Sequence, residues 1–135
     1  MEVEQTDSGL LVVRNRCVAV LEGVEHELLN DPDRLLVVGR TLAVEDLGLD
    51  IRDEFEHRFP PRNSAHYGAT QGFILGESHL IWSTWPERDE LEMDIFSCSP
   101  DVDLTQTPIY LARRYHPGAM RFSTTERPPY IPMPS

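Results

Sequence analysis

A run of twelve residues, 76–87, holds the densest set of reactive side chains in the chain. It places the hydroxyl of Ser78 next to the imidazole of His79, with the carboxylates of Glu77 and Glu87 toward its two ends. Hydroxyl, imidazole and carboxylate groups are the ones that nucleophilic and acid–base chemistry uses. We interpret the run as a self-processing site that turns Ser78 into a catalytic group.

Residue types alone also allow plainer roles for these side chains. Ser78 fits a turn between two strands, and Cys98 fits a small apolar residue of the core. The rings of Phe59 and Trp85 fit the core as well. The imidazoles and thiols show no compact spacing of the kind that metal sites use, so we predict that the chain holds no metal.

Length and charge limit the classes of function. At 135 residues and 40% hydrophobic content the chain can form one domain with a real core, and we treat residues 1–135 as a single domain. A formal net charge of -11 repels phosphate backbones and anionic lipid. We therefore expect neither nucleic acid nor a membrane surface as a partner.

The expected location follows from what the chain lacks in its sequence. Every apolar run is shorter than the roughly 20 residues that cross a bilayer. The acidic start, residues 1–5, has no basic segment of the kind that signal peptides carry. The two cysteines, Cys17 and Cys98, are far apart and form no CxxC motif. These features predict a reduced, cytoplasmic protein.

The elements that must position the reactive run are mainly strands. Apolar or alternating runs predict six of them, at residues 17–21, 50–59, 73–75, 79–84, 90–98 and 119–124. On the second strand, Ile51, Phe55 and Phe59 are expected on one face, which Asp53 interrupts. We expect a loose N-terminus at residues 1–14 and a proline-rich tail at residues 126–135.

Two amphipathic helices complete the predicted fold. The first runs from Asp31, a suitable cap before Pro32 at the first helical position, to a stop near Gly48. The second spans residues 101–115, with Pro108 in its first turns or delaying its start. This order of elements predicts an α/β (α+β) sandwich: a mainly antiparallel sheet with helices packed on one face.

The reactive run resembles the prokaryotic S-adenosylmethionine decarboxylases, which are pyruvoyl enzymes with the pattern ESH-x-x-x-HTWPE. The matching letters here are ESHLIWSTWPE, residues 77–87. Further matches lie in order on both sides, namely His57-Arg58-Phe59, Gly68-Ala69-Thr70 and the letters DIFSC at residues 94–98. The resemblance extends over roughly residues 15–125 and implies the fold of that family.

The resemblance implies a definite chemistry for Ser78. Its hydroxyl attacks the carbonyl of Glu77, so that an ester replaces the amide. Loss of the Ser78 α-proton expels the Glu77 carboxylate, and the remaining dehydroalanine hydrolyses to a pyruvoyl group. That carbonyl forms a Schiff base with the substrate amine and acts as an electron sink while CO₂ leaves.

The resemblance also implies roles for residues around this centre. Cys98 is the proton donor that quenches the carbanion, and Thr70 takes the place of a serine that assists processing. In the binding site, the ring of Phe59 stacks on adenine and Glu87 holds the ribose hydroxyls. The remaining implied residues of the pocket wall are His57 and Trp85.

One position departs from the family pattern. The family has a histidine five residues after the processing serine, where it takes part in processing, and this chain has Ser83. A serine hydroxyl cannot act as a base alone. Three readings remain open: another imidazole, His66 or His79, takes over, processing is slow, or the chain is never cut.

The sequence therefore supports three hypotheses of function. The first is a pyruvoyl-dependent decarboxylase of S-adenosylmethionine in polyamine biosynthesis of the spermidine type, or in a related pathway. The second keeps the pyruvoyl group and acts on a basic amino acid, arginine or ornithine. The third is an unprocessed, non-catalytic paralogue with a binding or regulatory role. By resemblance, we also expect a homodimer.

Overall fold

The computed structural model describes residues 4–5, 11–12, 15–60, 68–98, 102 and 104–125. Their centre is one six-stranded sheet whose neighbouring strands are all antiparallel, in the order β4-β5-β6-β7-β3-β8. Its strands are β3 (Asn15–Glu22), β4 (Asp53–Arg58), β5 (Ala69–Ile74), β6 (His79–Trp85), β7 (Glu90–Ser97) and β8 (Ala119–Thr125). The predicted fold class is confirmed.

The helices all contribute to one core on one face of this sheet. They are α1 (His26–Leu29), α2 (Pro32–Thr41) with a π-helical continuation at Leu42–Asp46, and α3 (Thr107–Tyr115). Leu35 and Leu111 from the helices share the core with Trp82 and Ile95 from the sheet, and all four are nearly fully buried. No helix among the described residues is long and apolar enough to cross a bilayer.

The other face of the sheet has no helix over it among the described residues, and we call it the open face. In β3 and β7 every second residue is buried, and the residues between them are exposed or half-buried. The same alternation places Ile81 and Ser83 of β6 on the open face and Leu80 and Trp82 in the core. This pattern is typical of an antiparallel sheet that is packed on one side.

The predicted helix starts and stops are largely confirmed. Asp31 caps α2 through its carboxylate, which accepts a hydrogen bond of 3.1 Å from the Arg34 N–H, and Pro32 is the first helical residue. The segment that we expected to continue to Gly48 turns π-helical after Thr41. The second helix begins as a 3₁₀ turn at Leu104–Gln106, with its α-helical part starting only beside Pro108.

Two features of the strands differ from the prediction, and one short helix was not predicted. β5 begins at Ala69 and not at residue 73, because the polar side chains of Thr70 and Gln71 find hydrogen-bond partners across the sheet. Ile51 packs against the core, whereas Phe55 lies on the open face over Gly72, so the two do not share a face. The short helix α1 carries too few residues to show a helical period.

The two ends of the chain were expected to be loose. Within residues 1–14 the backbone forms a two-stranded antiparallel ladder between β1 (Glu4–Gln5) and β2 (Leu11–Val12). The predicted proline-rich tail, residues 126–135, lies outside the described residues.

Candidate active site

The Glu77–Ser78 bond lies at the tight turn that joins β5 to β6. The Leu75 N–H donates to the Ser78 carbonyl at 2.8 Å, which leaves Gly76 and Glu77 as the two turn residues. Gly76 has a φ of 79°, and hairpin turns of the primed types require such a positive φ at this position. Glu77 is exposed, whereas Ser78 is only 7% exposed. The turn therefore presents the peptide bond that the sequence predicts to be cut.

Cys98 contacts both sides of this peptide bond. Its backbone N–H donates to the Ser78 Oγ at 3.1 Å, and its Sγ lies 3.9 Å from the carbonyl oxygen of Glu77. A thiol is a weak donor, but it is aimed at the oxygen that gains charge when the carbonyl is attacked. The pairing of β6 with β7, in which His79 is opposite Phe96, brings these residues together across 20 positions of sequence.

Thr70 and Ser83 form a second group on the open face. They are directly opposite each other on β5 and β6, and their hydroxyl oxygens are 2.7 Å apart. The two positions that the resemblance assigns to processing are thus hydrogen-bonded to each other. His57 is opposite Thr70 on the next strand, β4, and Glu92 is opposite Ser83 on β7.

The predicted substrate-binding residues lie at the same end of the sheet as this hydroxyl pair. The Phe59 N–H donates to the Gly68 carbonyl at 2.9 Å. A Cβ on Gly68 would lie 3.5 Å from the Phe59 ring and 3.6 Å from Pro86, so the ring stands next to the turn that carries Glu87. The ring of His57 packs edge-on against Phe59, with centroids 5.0 Å apart.

The turn that holds Glu87 is fixed from outside the motif. The Val24 N–H donates to the Asp89 carbonyl at 3.0 Å, and the His26 Nδ1 lies 3.0 Å from the Pro86 carbonyl oxygen. Asp89 ends the turn with a φ of 53°. On its other side, the Arg88 guanidinium stands 5.4 Å from the centre of the Trp85 ring. Glu87 itself is exposed and free to contact a ligand.

The predicted site residues thus form two groups at opposite ends of β6. The cleavage group consists of Glu77, Ser78 and Cys98. The distal group consists of the predicted residues at the other end, namely His57, Phe59, Thr70, Ser83, Trp85 and Glu87. Ser78 and Ser83 are five residues apart along an extended strand, which corresponds to about 16 Å. Within one chain the hydroxyl pair cannot reach the Glu77–Ser78 bond.

His66 and His79 are the two imidazoles that were considered as replacements for a histidine at position 83. His66 lies outside the described residues. The ring of His79 turns to the open face, where it stacks on Phe96 with centroids 5.6 Å apart. Its Nε2 is 3.7 Å from Asp94, which also binds Arg16 at 2.8 Å. His79 is therefore engaged with the sheet beside the cleavage group.

A buried polar network supports the strand that carries Thr70, and sequence reasoning missed it. The Trp82 Nε1 donates to the Gln71 side chain at 2.8 Å, and Gln71 donates to the Pro32 carbonyl at 2.8 Å and to the Glu56 carboxylate. Burial opposes ionisation of Glu56, but hydrogen bonds from Arg58 and Gln71 outweigh it and lower the pKa of this carboxyl. The only sequence signal was a glutamine inside an apolar strand.

Nucleophile and metal chemistry elsewhere in the described part of the chain is not supported. Burial raises the pKa of the Cys17 thiol to about 11, so this residue stays protonated and serves the core. No three His, Cys, Asp or Glu side chains among the described residues are grouped as metal ligands.

Comparison with known sequences gives a consistent result. The sequence model of a family described as S-adenosylmethionine decarboxylase matches residues 15–128. A protein of Carboxydothermus hydrogenoformans named S-adenosylmethionine decarboxylase proenzyme is 32% identical over 110 residues, which is 82% of each chain. A protein of the same name from Syntrophomonas wolfei is 30% identical over 110 residues, again 82% of each chain.

A solved structure matches the fold. It is the adenosylmethionine decarboxylase from Aquifex aeolicus, with a TM-score of 0.74 and 19% sequence identity. The match covers 92% of the present chain and 98% of that chain, so almost the whole architecture is shared.

Proposed function

The chain belongs to the S-adenosylmethionine decarboxylase family, and from this premise we propose that it is a self-cleaving, pyruvoyl-dependent carboxy-lyase acting on S-adenosylmethionine. The observation that carries the proposal is the contact of Cys98 with both the Ser78 Oγ and the Glu77 carbonyl. The product, which has lost CO₂, suits the supply of aminopropyl groups for polyamines such as spermidine. The cytoplasmic location stays a prediction.

Self-cleavage uses groups that the turn already holds together. The Ser78 Oγ attacks the Glu77 carbonyl carbon, the C–N bond breaks, and an ester and a free amine result. The Cys98 thiol supports the charge on the carbonyl oxygen. The α-proton of Ser78 is then removed, and the Cβ–Oγ bond breaks with its electron pair on the Glu77 carboxylate. Water hydrolyses the remaining dehydroalanine to the pyruvoyl group, and its nitrogen leaves as ammonia.

The residues present fit a pyruvoyl group at position 78. That position is buried, accepts a hydrogen bond from the Cys98 backbone N–H and immediately precedes β6, which pairs with a strand on each side. A bound pyruvoyl group supplies an electron sink for the loss of CO₂. Cys98, whose backbone N–H holds the Ser78 Oγ and whose thiol lies 3.9 Å from the adjoining Glu77 carbonyl oxygen, would return a proton to carbon.

The distal group supplies the residues that bind the substrate in the same site. The exposed ring of Phe59 offers a face for a purine, with Trp85 and His57 beside it. The exposed carboxylate of Glu87 is able to accept two hydrogen bonds from vicinal ribose hydroxyls.

A homodimer brings the two groups together in this proposal. The open face exposes Val18, Phe55 and Ile74 by 38–41% each, which is an apolar surface suited to a second copy. If two sheets pack through their open faces with their β6 strands antiparallel, the Ser83 end of one copy meets the Ser78 end of the other. Each active site then takes its cleavage group from one copy and its distal group from the second.

Mass spectrometry of the purified chain tests the proposal. The expected result is two fragments of 77 and 58 residues, the smaller one with an N-terminus that reacts with hydride reagents. A Ser78→Ala chain stays intact and serves as the control. CO₂ release is then measured with S-adenosylmethionine, arginine and ornithine. A wild-type chain that stays whole after long incubation contradicts the proposal, as does release from an amino acid alone.

A further inference from the structure

A row of polar side chains crosses the open face at the level of the hydroxyl pair. The strand registers place His57 opposite Thr70, Thr70 opposite Ser83, and Ser83 opposite Glu92. Directly opposite residues on antiparallel strands have Cβ atoms about 5 Å apart. The two hydroxyls, 2.7 Å apart, therefore have an imidazole at one end of the row and a carboxylate at the other.

We infer that His57 is the proton acceptor for self-cleavage and works through the Thr70–Ser83 hydroxyl pair. The inference rests on the proposed function, because it concerns how the Glu77–Ser78 bond of a second copy is cut. It assigns His57 a second task besides its predicted place in the pocket wall.

The chemistry of the row favours the imidazole as its basic end. Two hydroxyls are able to pass a proton along, but neither is able to keep it, whereas imidazole accepts and returns a proton near neutral pH. A carboxylate such as Glu92 is a much weaker base at that pH. The side chain of His57 is exposed, packs edge-on against Phe59, and belongs to the residue directly opposite Thr70.

The proton balance of the elimination step is complete with these groups. The Ser78 Cα–H bond breaks, its electron pair forms the Cα=Cβ bond, and the Cβ–Oγ bond breaks with its pair on the Glu77 carboxylate. The proton passes to a hydroxyl of the pair, whose own proton moves on, and the His57 ring ends as imidazolium. Water and the released amine return it to the neutral form.

The test compares His57→Gln with His116→Asn in the full-length chain. General base catalysis contributes about 10²- to 10⁴-fold, so His57→Gln is expected to slow cleavage about 100-fold or more. His116 also carries an imidazole but lies at the C-terminal cap of α3 with a φ of 46°, which asparagine tolerates, so His116→Asn keeps the wild-type rate. Cleavage is followed by intact mass, and folding by the thermal midpoint.

Two rescue measurements separate proton transfer from a structural role. Free imidazole added to a His57→Ala chain restores cleavage, and so does Ser83→His introduced into that chain. A variant that is slow, has a lowered thermal midpoint and responds to neither treatment overturns the inference.

Three further outcomes are distinguishable. If the wild type cleaves and His57→Gln cleaves equally fast, the inference is wrong while the proposed function stands. The same holds if Glu92→Gln, and not His57→Gln, abolishes cleavage. If the wild type never cleaves, the proposed function itself fails.

Discussion

Cys98 is the residue whose position says most about the chemistry. Its backbone N–H holds the Ser78 Oγ and its thiol faces the Glu77 carbonyl. The backbone contact can survive substitution by any residue except proline, whereas the thiol contact cannot. The two proposed activities, self-cleavage and decarboxylation, are therefore expected to depend on Cys98 to different degrees.

A Cys98→Ala chain is expected to separate cleavage from decarboxylation. Loss of one weak hydrogen bond, about 1 kcal/mol, slows cleavage about fivefold, while loss of the proton donor lowers decarboxylation about 100-fold or more. Both rates are measured on the same preparation, with Cys17→Ala as the control that removes a distant thiol. Equal loss of both activities contradicts the assignment.

Glu87 offers a second test at the level of one side chain. Its exposed carboxylate is proposed to hold ribose hydroxyls, and hydrogen bonds to charged groups contribute about 1.5–3 kcal/mol. Glu87→Ala is expected to raise KM for S-adenosylmethionine at least about tenfold without changing the rate of self-cleavage. Glu27→Ala, on an exposed face of α1, is the matched control. An unchanged KM removes Glu87 from the site.

At the scale of elements, α2 lies directly on the strand β6. A Cβ on Gly39 would stand 2.4 Å from the Trp82 ring, so the helix approaches the sheet only because it has glycine there. Trp82 in turn donates to Gln71, the buried residue next to Thr70. The packing of one helix thus supports the strand pair, β5 and β6, that carries Thr70 and Ser83.

Gly39→Ala is expected to destabilise the protein although alanine favours helices. The clash with Trp82 costs about 1–3 kcal/mol, and this exceeds the gain in helix propensity of about 1 kcal/mol. The measurement is the free energy of unfolding in urea. Val37→Ala, on the exposed face of the same helix, is the control and changes stability little. A stabilised Gly39→Ala chain contradicts the close contact.

Glu56 links the edge strand β4 to the same network and makes stability depend on pH. In the folded chain the pKa of this carboxyl is below its ordinary value of 4.5, because hydrogen bonds from Arg58 and Gln71 outweigh the effect of burial. The unfolded chain therefore binds the proton more readily. The stabilisation is complete above pH 4.5 and is lost as the pH falls through the folded pKa.

Glu56→Gln is expected to flatten this dependence. The wild-type chain loses more free energy of unfolding between a pH of about 6 and a pH of about 3 than the variant does, because the variant has no proton to bind at this position. Urea titrations at the two pH values measure the difference. Parallel losses in the two chains show that Glu56 does not contribute.

At the scale of the whole molecule, the predicted site residues are divided between two places. The cleavage group and the distal group lie at opposite ends of β6, where Ser78 and Ser83 are about 16 Å apart. The open face between them carries the exposed side chains of Val18 and Phe55. In the proposed homodimer, a second copy covers that face and completes each site.

Mixing two inactive chains tests this directly. Ser78→Ala removes the hydroxyl that attacks the Glu77 carbonyl, and the double variant Thr70→Val/Ser83→Ala removes the hydroxyl pair. Each chain alone is expected to stay uncleaved. Co-expressed, they form mixed dimers in which the double variant is cut with the help of the hydroxyl pair of the other chain. Intact mass identifies which chain is cut, and sedimentation confirms the dimer. Mixed dimers without cleavage contradict a shared site.

Much of the fold was predictable because it depends on local patterns. The alternation along β7 and the cap and proline at the start of α2 have short-range causes, and these elements formed as expected. The length of β5 was not predictable, because its polar residues, Thr70 and Gln71, are satisfied by partners on other strands. Such partners are distant in sequence, and no local pattern shows them.

The sequence by itself identified the family and predicted the bond to be cut, because both follow from the types and spacing of side chains around Ser78 and Cys98. Only the tertiary structure decided how the site is divided. The register of β5, β6 and β7 places Cys98 against the Glu77–Ser78 bond and joins Thr70 to Ser83 at the far end. A paired strand is extended and rigid, so five residues along β6 become a separation that one chain cannot close.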